Sequence, residues 1–290
     1  YSRTLSYKGN KLFSGKRRNH GSAVRQETMD YLFDKYGKLG RNLSGKFVFL
    51  FLDYDGTISP IADAPDKAAI SKETKVLLRK TTLRPDRKVA IISGRALEDI
   101  KKRIGLKNLI YVGNHGLEIE GPKLRYGYFL ASEYKAIIRN IDAKLKNKLQ
   151  RVKGVLVENK TVCISLHYRM AKKKDMPLIK TAFQEVTLPY VVSNKIEIRS
   201  GKKMLEVRPP VKWNKGSVVM WLLTRQKVFV KKKSIIPIYI GDDSTDEDAF
   251  KALRKKGITI FVGKPGASLA KYYLKNTSEV IKFLKLIAEV

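Results

Sequence analysis

Four short stretches of the chain hold the side chains that could do chemistry. They are Asp53-Tyr54-Asp55-Gly56-Thr57, Ser93-Gly94-Arg95, Lys215 directly after Asn214, and Gly241-Asp242-Asp243-Ser244-Thr245-Asp246. Carboxylates brought together repel one another unless a cation sits among them. The available ligands are oxygens, with no thiolate or histidine cluster nearby, and this donor set selects a hard ion, Mg²⁺ best of all. The hydroxyl of Ser93, the amides of the turn that follows it and the ammonium of Lys215 are anion-binding parts. An acidic metal site beside amide and ammonium donors is what a phosphoryl group needs, with its charge balanced from both sides.

These stretches follow runs that read as buried strands. Phe47–Leu52 is six consecutive apolar residues, aromatic and β-branched or leucine, the composition of a strand covered on both faces. Lys88–Ile92, Leu109–Val112, Ile235–Ile240 and Gly257–Val262 are further strands, each followed by glycine or polar residues. Helices are expected from about Ser71 (an N-cap), over Ala96–Ile104, Lys215–Leu223, Glu247–Lys255 and Thr277–Ala288. Alternating strands and helices indicate a doubly wound, Rossmann-like α/β sheet whose ligands bind at the carboxyl ends of the strands. Asp53 and Asp55 then leave the end of the first core strand on one side, because side chains alternate.

Between these flanks the order changes. A helix over Tyr134–Val152, a hairpin over Val155–Tyr168, a helix over Met176–Glu185 and strands at Tyr190–Ser193, Lys195–Ser200 and Met204–Val207 form an α+β insertion. The expected layout is therefore a basic N-terminal arm over 1–44 with one short helix (Glu27–Tyr36), a core made of 45–119 and 206–290, and an inserted domain over 120–205. The first 25 residues carry no acid but several serines and basic residues, a composition that resembles an organelle transit peptide and a disordered arm equally well.

Asp-Tyr-Asp-Gly-Thr, Ser93, Lys215 and Gly-Asp-Asp-Ser-Thr-Asp match, in order, the motifs of the haloacid dehalogenase-like phosphatases. Within that superfamily the chain resembles the trehalose-6-phosphate phosphatases, through Leu52–Pro60, Ile92–Arg95, Gly113–Gly116, Glu158–Arg169, Glu206–Pro209 and Ile240–Phe250. The resemblance implies an Mg²⁺-dependent phosphomonoesterase that makes trehalose and phosphate through an aspartyl-phosphate. It implies Asp53 as nucleophile, Asp55 as general acid and base, and Thr57, Ser93 and Lys215 on the phosphoryl group. Asp53, the backbone carbonyl of Asp55 and Asp242 would hold the metal, with Asp246 behind them and Asp243 as a neighbour. The insertion would be a cap that reads the sugar. Gly94, Arg95, His115, Glu158, Lys160, Arg169, Lys202 and Glu206 are its expected sugar or phosphate contacts, while His167 is expected to be structural.

Composition sets the rivals. The chain carries 60 Lys+Arg against 27 Asp+Glu, a net charge of +33. That balance attracts anions, and a basic nucleic-acid binder or a non-catalytic regulatory protein on the same fold is the alternative of another class. The lysines are spread along the whole chain without an RNA-recognition signature, which favours a solvated basic surface. The nearer rivals keep the chemistry and change the sugar, to sucrose 6-phosphate or a mannosylglycerate phosphate. One cysteine, Cys163, excludes an internal disulfide framework and fits a reducing, cytoplasmic setting. No apolar run is long enough for a membrane helix, and a monomer is expected.

Overall fold

The computed structural model describes residues 29–62, 65–128, 130–201, 203–229 and 234–289. In chain order its elements are β1 (Asp30–Tyr31), α1 (Tyr36–Leu43), β2 (Phe47–Leu52), α2 (Lys72–Leu83), β3 (Arg87–Ile92), α3 (Leu97–Ile104) and β4 (Ile110–Gly113). Then follow β5 (Glu118–Gly121), β6 (Leu124–Gly127), α4 (Ser132–Leu149), β7 (Leu156–Asn159), β8 (Ile164–His167), α5 (Met176–Val192), β9 (Glu197–Gly201) and β10 (Met204–Arg208). The chain closes with α6 (Lys215–Phe229), β11 (Ile235–Gly241), α7 (Glu247–Leu253), β12 (Ile258–Val262), β13 (Tyr272–Leu274) and α8 (Thr277–Glu289).

Nine strands form one sheet in the order β1-β13-β12-β11-β2-β3-β4-β5-β6. The pairs from β1 to β4 are parallel, and β5 and β6 add an antiparallel hairpin. Strand β2 is buried along its whole length, as its unbroken apolar run requires. Val48, Leu50 and Leu52 face one core with Leu77, Ile100 and Phe283, from α2, α3 and α8. Phe47, Phe49 and Phe51 face the other with Val218 and Phe250, from α6 and α7. From β2 the chain moves outward through β3 and β4, and it later returns to β2's other side as β11. The strand order therefore reverses between β2 and β11, where a doubly wound sheet opens a crevice at its carboxyl ends.

The second sheet is antiparallel, β7-β8-β10-β9. With α4 and α5 it closes a third apolar core around Ile138, Ile141, Leu166, Phe183 and Leu205. Its boundaries differ from the expected 120 and 205. The hairpin β5–β6 pairs with β4 and so extends the large sheet to Gly127, whereas β10, through Arg208, pairs with β8 and β9. Sequence order hid this, because a hairpin after β4 reads the same whichever sheet it joins.

Other differences have local causes. Tyr190–Val192, expected as a strand, is the last turn of α5. Its β-branched run sits beyond Pro189, which reads as a breaker, but Tyr190 and Val191 pack on the lobe's core and hold the helix together. The N-terminal helix lies at Tyr36–Leu43, after a 3-10 turn at Leu32–Lys35, and not over Glu27–Tyr36, whose first residues fall outside the described residues. Helix α2 starts as expected, with Ser71 Oγ accepting from the Thr74 amide at 3.0 Å.

Candidate active site

The crevice between β2 and β11 gathers the acids. Asp53 follows β2 directly, and its amide donates to the carbonyl of Ile240 at 2.9 Å, which fixes the two strand ends side by side. Carboxylate oxygens of Asp53, Asp242 and Asp246 lie within 4.8 Å of one another, and all three residues are buried. Lys215 reaches them from the first turn of α6. Asn214 caps that helix, its Oδ1 accepting from the Ser217 amide at 2.9 Å. Lys215 Nζ donates to Asp53 Oδ1 at 2.8 Å and to Asp246 Oδ1 at 2.7 Å.

The balance of charge there is negative. Burial pushes the Asp53 carboxyl well above the usual range, Lys215 offsets this in part, and Asp246 and Asp242 add to it. Burial likewise lifts Asp246, to about 6, against Lys215. For Lys215 itself burial opposes the charge, but Asp246 and Asp53 outweigh it and hold the ammonium well above the ordinary lysine range. One ammonium does not neutralise the cluster.

A metal fits the surplus. The donors are carboxylate oxygens, and a cradle is built beside them. Gly56 has φ +87°, and a Cβ there would lie 2.2 Å from Asp242 Oδ2, so glycine is needed for the loop to pass so close to the carboxylate. Asp246 already has several partners, its Oδ1 taking Lys215 and the Tyr239 hydroxyl (2.7 Å) and its Oδ2 the Asp243 amide (3.0 Å). It therefore orients Lys215 and its own loop, with one lone pair of Oδ2 left over. Asp243 Oδ1 is likewise occupied, by the amide and hydroxyl of Thr245 at 2.8 and 2.7 Å. Thr57, expected on the phosphoryl group, is buried with its hydroxyl donating to Asp242 Oδ1 at 3.3 Å.

Asp55 points elsewhere. Arg95 grips it with two bonds, Nε to Oδ2 and Nη2 to Oδ1, both 2.7 Å, and extends to Asp99 Oδ2 at 3.0 Å. A guanidinium bound this way is a holder of Asp55, although Arg95 was expected to contact substrate.

Across from the acids, the loops after β3 and β4 meet the second sheet. His115 is buried with φ +54°, its Nε2 3.3 Å from Glu206 Oε2. Burial lowers its tendency to protonate, more than Glu206 raises it. Glu206 on β10 also accepts from Lys160 Nζ and from the Ser165 hydroxyl, both at 3.2 Å, with Arg208 Nε at 3.9 Å. Burial alone would raise its carboxyl, but His115, Lys160 and Arg208 reverse this and hold it well below the carboxylate range. Gly94 lies against this network, since a Cβ there would meet His115 Nε2 at 2.5 Å. Glu158 on β7 is paired with His167 Nε2 at 2.8 Å. Arg169 is exposed two residues beyond β8, and Lys202 lies outside the described residues.

The trehalose-phosphatase family profile matches residues 51–278, which includes every residue of both clusters. The chain belongs to the trehalose-phosphatase family. Trehalose-phosphate phosphatase B of Arabidopsis thaliana is 35% identical over 257 residues, 84% of this chain and 67% of that protein. Trehalose 6-phosphate phosphatase RA3 of Zea mays is 35% identical over 260 residues, 84% of this chain and 70% of that protein. The C-terminal domain of C. albicans trehalose-6-phosphate phosphatase superposes with a TM-score of 0.76 at 25% identity, covering 91% of this chain and 99% of that one. Trehalose phosphatases are phosphoric monoester hydrolases on the haloacid dehalogenase-like fold, and the doubly wound sheet agrees with that membership.

Three members of the network were not anticipated. Tyr239 on β11 holds Asp246, Arg208 stands behind Glu206, and Asn114 donates from Nδ2 to Glu118 Oε2 at 2.5 Å. Tyr239 sits in a continuous apolar strand and is legible there only as core. Arg208, next to Pro209, was legible as a strand end. His167, read as structural, is the partner of a candidate sugar contact. Among the described residues no helix is long and apolar enough to cross a membrane.

Proposed function

We propose that this protein hydrolyses trehalose 6-phosphate to trehalose and phosphate, with Mg²⁺, through a phosphoryl group carried on Asp53. The supporting observation is the Lys215 ammonium bridging Asp53 and Asp246 beside Asp242, at the sheet's switch point. Asp53, Asp242 and the carbonyl of Asp55 would hold the metal. When bound, it neutralises the surplus acids and offsets the charge of the phosphoryl oxygens.

Asp53 attacks phosphorus with Oδ2, because Oδ1 is held by Lys215. The same ammonium faces the oxygens of the transferring group, so nucleophile and phosphoryl are kept together by one cation. Ser93 donates its hydroxyl to a phosphoryl oxygen. Asp55 protonates the leaving sugar oxygen and then takes the proton of the water that cleaves the aspartyl-phosphate. In the structure Asp55 has both oxygens on Arg95; to act as an acid it must turn at least one oxygen away from that grip. Its side chain is 41% exposed, which gives it room to do so.

The second sheet acts as the cap. Glu158, oriented by His167, Lys160 and Glu206 supply charged acceptors and a donor suited to a disaccharide's hydroxyls. One chain supplies all of these groups, so a monomer suffices, and the buried free thiol of Cys163 fits a reducing cytoplasm.

Phosphate release across trehalose 6-phosphate, sucrose 6-phosphate, glucose 6-phosphate and a mannosylglycerate phosphate, with and without EDTA, tests this reading. Trehalose 6-phosphate should give the highest kcat/KM, and EDTA should abolish turnover. A better substrate elsewhere in the panel would refute the sugar assignment; EDTA-resistant turnover would refute the metal.

A further inference from the structure

The turn Ser93-Gly94-Arg95 has all three of its carbonyls held, and by two different parts of the molecule. The Ser93 carbonyl accepts from the His115 amide at 3.0 Å, and the Arg95 carbonyl from the Asn114 amide at 2.7 Å, both from the loop after β4. The middle carbonyl, of Gly94, accepts from Lys160 Nζ at 2.8 Å, and Lys160 belongs to the second sheet's β7–β8 turn. Holding that oxygen fixes the Gly94–Arg95 peptide plane, because the plane turns as a unit. The amide on the other side of the plane, Arg95 N–H, donates to Ser93 Oγ at 3.1 Å. With one lone pair engaged there, the Ser93 hydroxyl has its own proton free to point outward, to a phosphoryl oxygen.

Lys160 is itself well constrained. Only 6% of its side chain is exposed, and its second partner is Glu206, which the Ser165 hydroxyl and His115 also hold. The β7–β8 turn that presents it is fixed by the Lys160 amide on the Cys163 carbonyl at 2.9 Å and by Asn114 Nδ2 on the Lys160 carbonyl at 3.5 Å.

We infer that Lys160 is a positioning residue for the phosphoryl site: through the Gly94–Arg95 peptide it sets the orientation of the Ser93 hydroxyl, so the lobe that reads the sugar also completes the phosphate turn. This rests on the reading of Ser93 as a phosphoryl donor and goes beyond a sugar contact for Lys160. Closing the lobe then switches on phosphate recognition as well as burying the sugar.

The test is binding of orthovanadate, a phosphoryl probe without any sugar, to the full chain in Mg²⁺ by calorimetry. Lys160→Met should weaken orthovanadate about tenfold, the effect of about 1.4 kcal/mol expected for one buried hydrogen bond. Lys160→Arg should restore most of it. In a Ser93→Ala background, Lys160→Met should cost less than twofold more, because its route through Ser93 is already gone. If Lys160→Met unfolds the lobe by leaving Glu206 unpaired, Lys160→Met/Glu206→Gln replaces it and the same comparison is made. Orthovanadate affinity within twofold of wild type in the folded variant, or an undiminished loss in the Ser93→Ala background, would overturn the inference. Wild-type protein that binds orthovanadate but does not turn over trehalose 6-phosphate fails only the substrate reading; one that binds no orthovanadate fails both.

Discussion

Asp53→Asn should stabilise the metal-free protein while it abolishes turnover. Asn has the shape of Asp without its charge, so packing is unchanged. At an effective dielectric of about 20, each repulsion from an oxygen no more than 4.8 Å away is worth at least ~3.5 kcal/mol, and the attraction to Lys215 at 2.8 Å ~6 kcal/mol. Two repulsions at least offset the one attraction. What remains is the desolvation of a carboxylate that is only 7% exposed, a cost of several kcal/mol in a buried site. Lys215 keeps Asp246 as a partner in the variant, so no ammonium is stranded. The expected gain is about 1–3 kcal/mol, or a rise in Tm of roughly 3–10 °C.

The pH dependence has a definite sign. Burial raises the folded-state pKa of Asp53 above its unfolded value, so the wild type has the associated stability in full below the unfolded pKa and loses it as pH rises through the folded one. The asparagine variant has no such loss. Its advantage should therefore be largest at neutral to mildly alkaline pH and vanish toward pH ~4. Thermal melts by circular dichroism in EDTA and in Mg²⁺, from pH 4 to 8, measure all of this. In Mg²⁺ the order should reverse, since ion at 100 times its Kd adds about 2.7 kcal/mol to the wild type, and the variant lacks one ligand. A metal-free variant that melts below the wild type at pH 7.5 would refute the reasoning, because Asp53 would then be held more strongly by Lys215 than burial disfavours it.

Two further substitutions probe the supports of the site. Tyr239→Phe removes one bond to a buried carboxylate that keeps two others; it should cost about 1.5–3 kcal/mol of stability and leave kcat within about tenfold. An unchanged Tm with a collapsed kcat would mean that the Tyr239 hydroxyl touches the phosphoryl group instead. Gly56→Ala places a Cβ on the Asp242 carboxylate and adds about 1–3 kcal/mol of backbone strain at φ +87°. The Mg²⁺ needed for half-maximal activity should rise at least about tenfold, a displaced carboxylate costing no less than the 10–100-fold typical of lost outer-shell support; an unchanged Mg²⁺ titration would contradict a metal at Asp242.

The large sheet was readable because its central strands are mostly apolar and end in glycine or polar residues, so both the elements and their functional ends stand out. Edge elements were not. Strand β13 is three residues with charged neighbours, and β1 is two residues that pair only with it, so neither has a period to detect. At the site, Asp53, Asp242, Asp246 and Lys215 were legible together, because acids at buried strand ends demand partners. The pairing Arg95–Asp55 was not, since 40 positions separate two residues that each seemed committed to substrate. His115–Glu206 was hidden for the same reason. Two candidate ligands in sequence turned out to be each other's ligands in space. Residue type and spacing reveal that a group needs a partner, but only the fold decides which one it meets.

The two halves of the crevice solve opposite electrostatic problems. Around Asp53 the acids outnumber the ammonium, and the surplus favours a cation over a bare phosphate dianion. Around Glu206 the cations outnumber the acid, with Lys160 and Arg208 against one carboxylate and His115 beside it. A buried network of this kind loses its balance when any one member is removed. A phosphate monoester entering this crevice thus meets repulsion on the acidic side until a metal is bound there and attraction on the other, while the chain's overall charge of +33 draws it toward the mouth. Metal should therefore bind before substrate, and the substrate on-rate should fall as salt screens the surface.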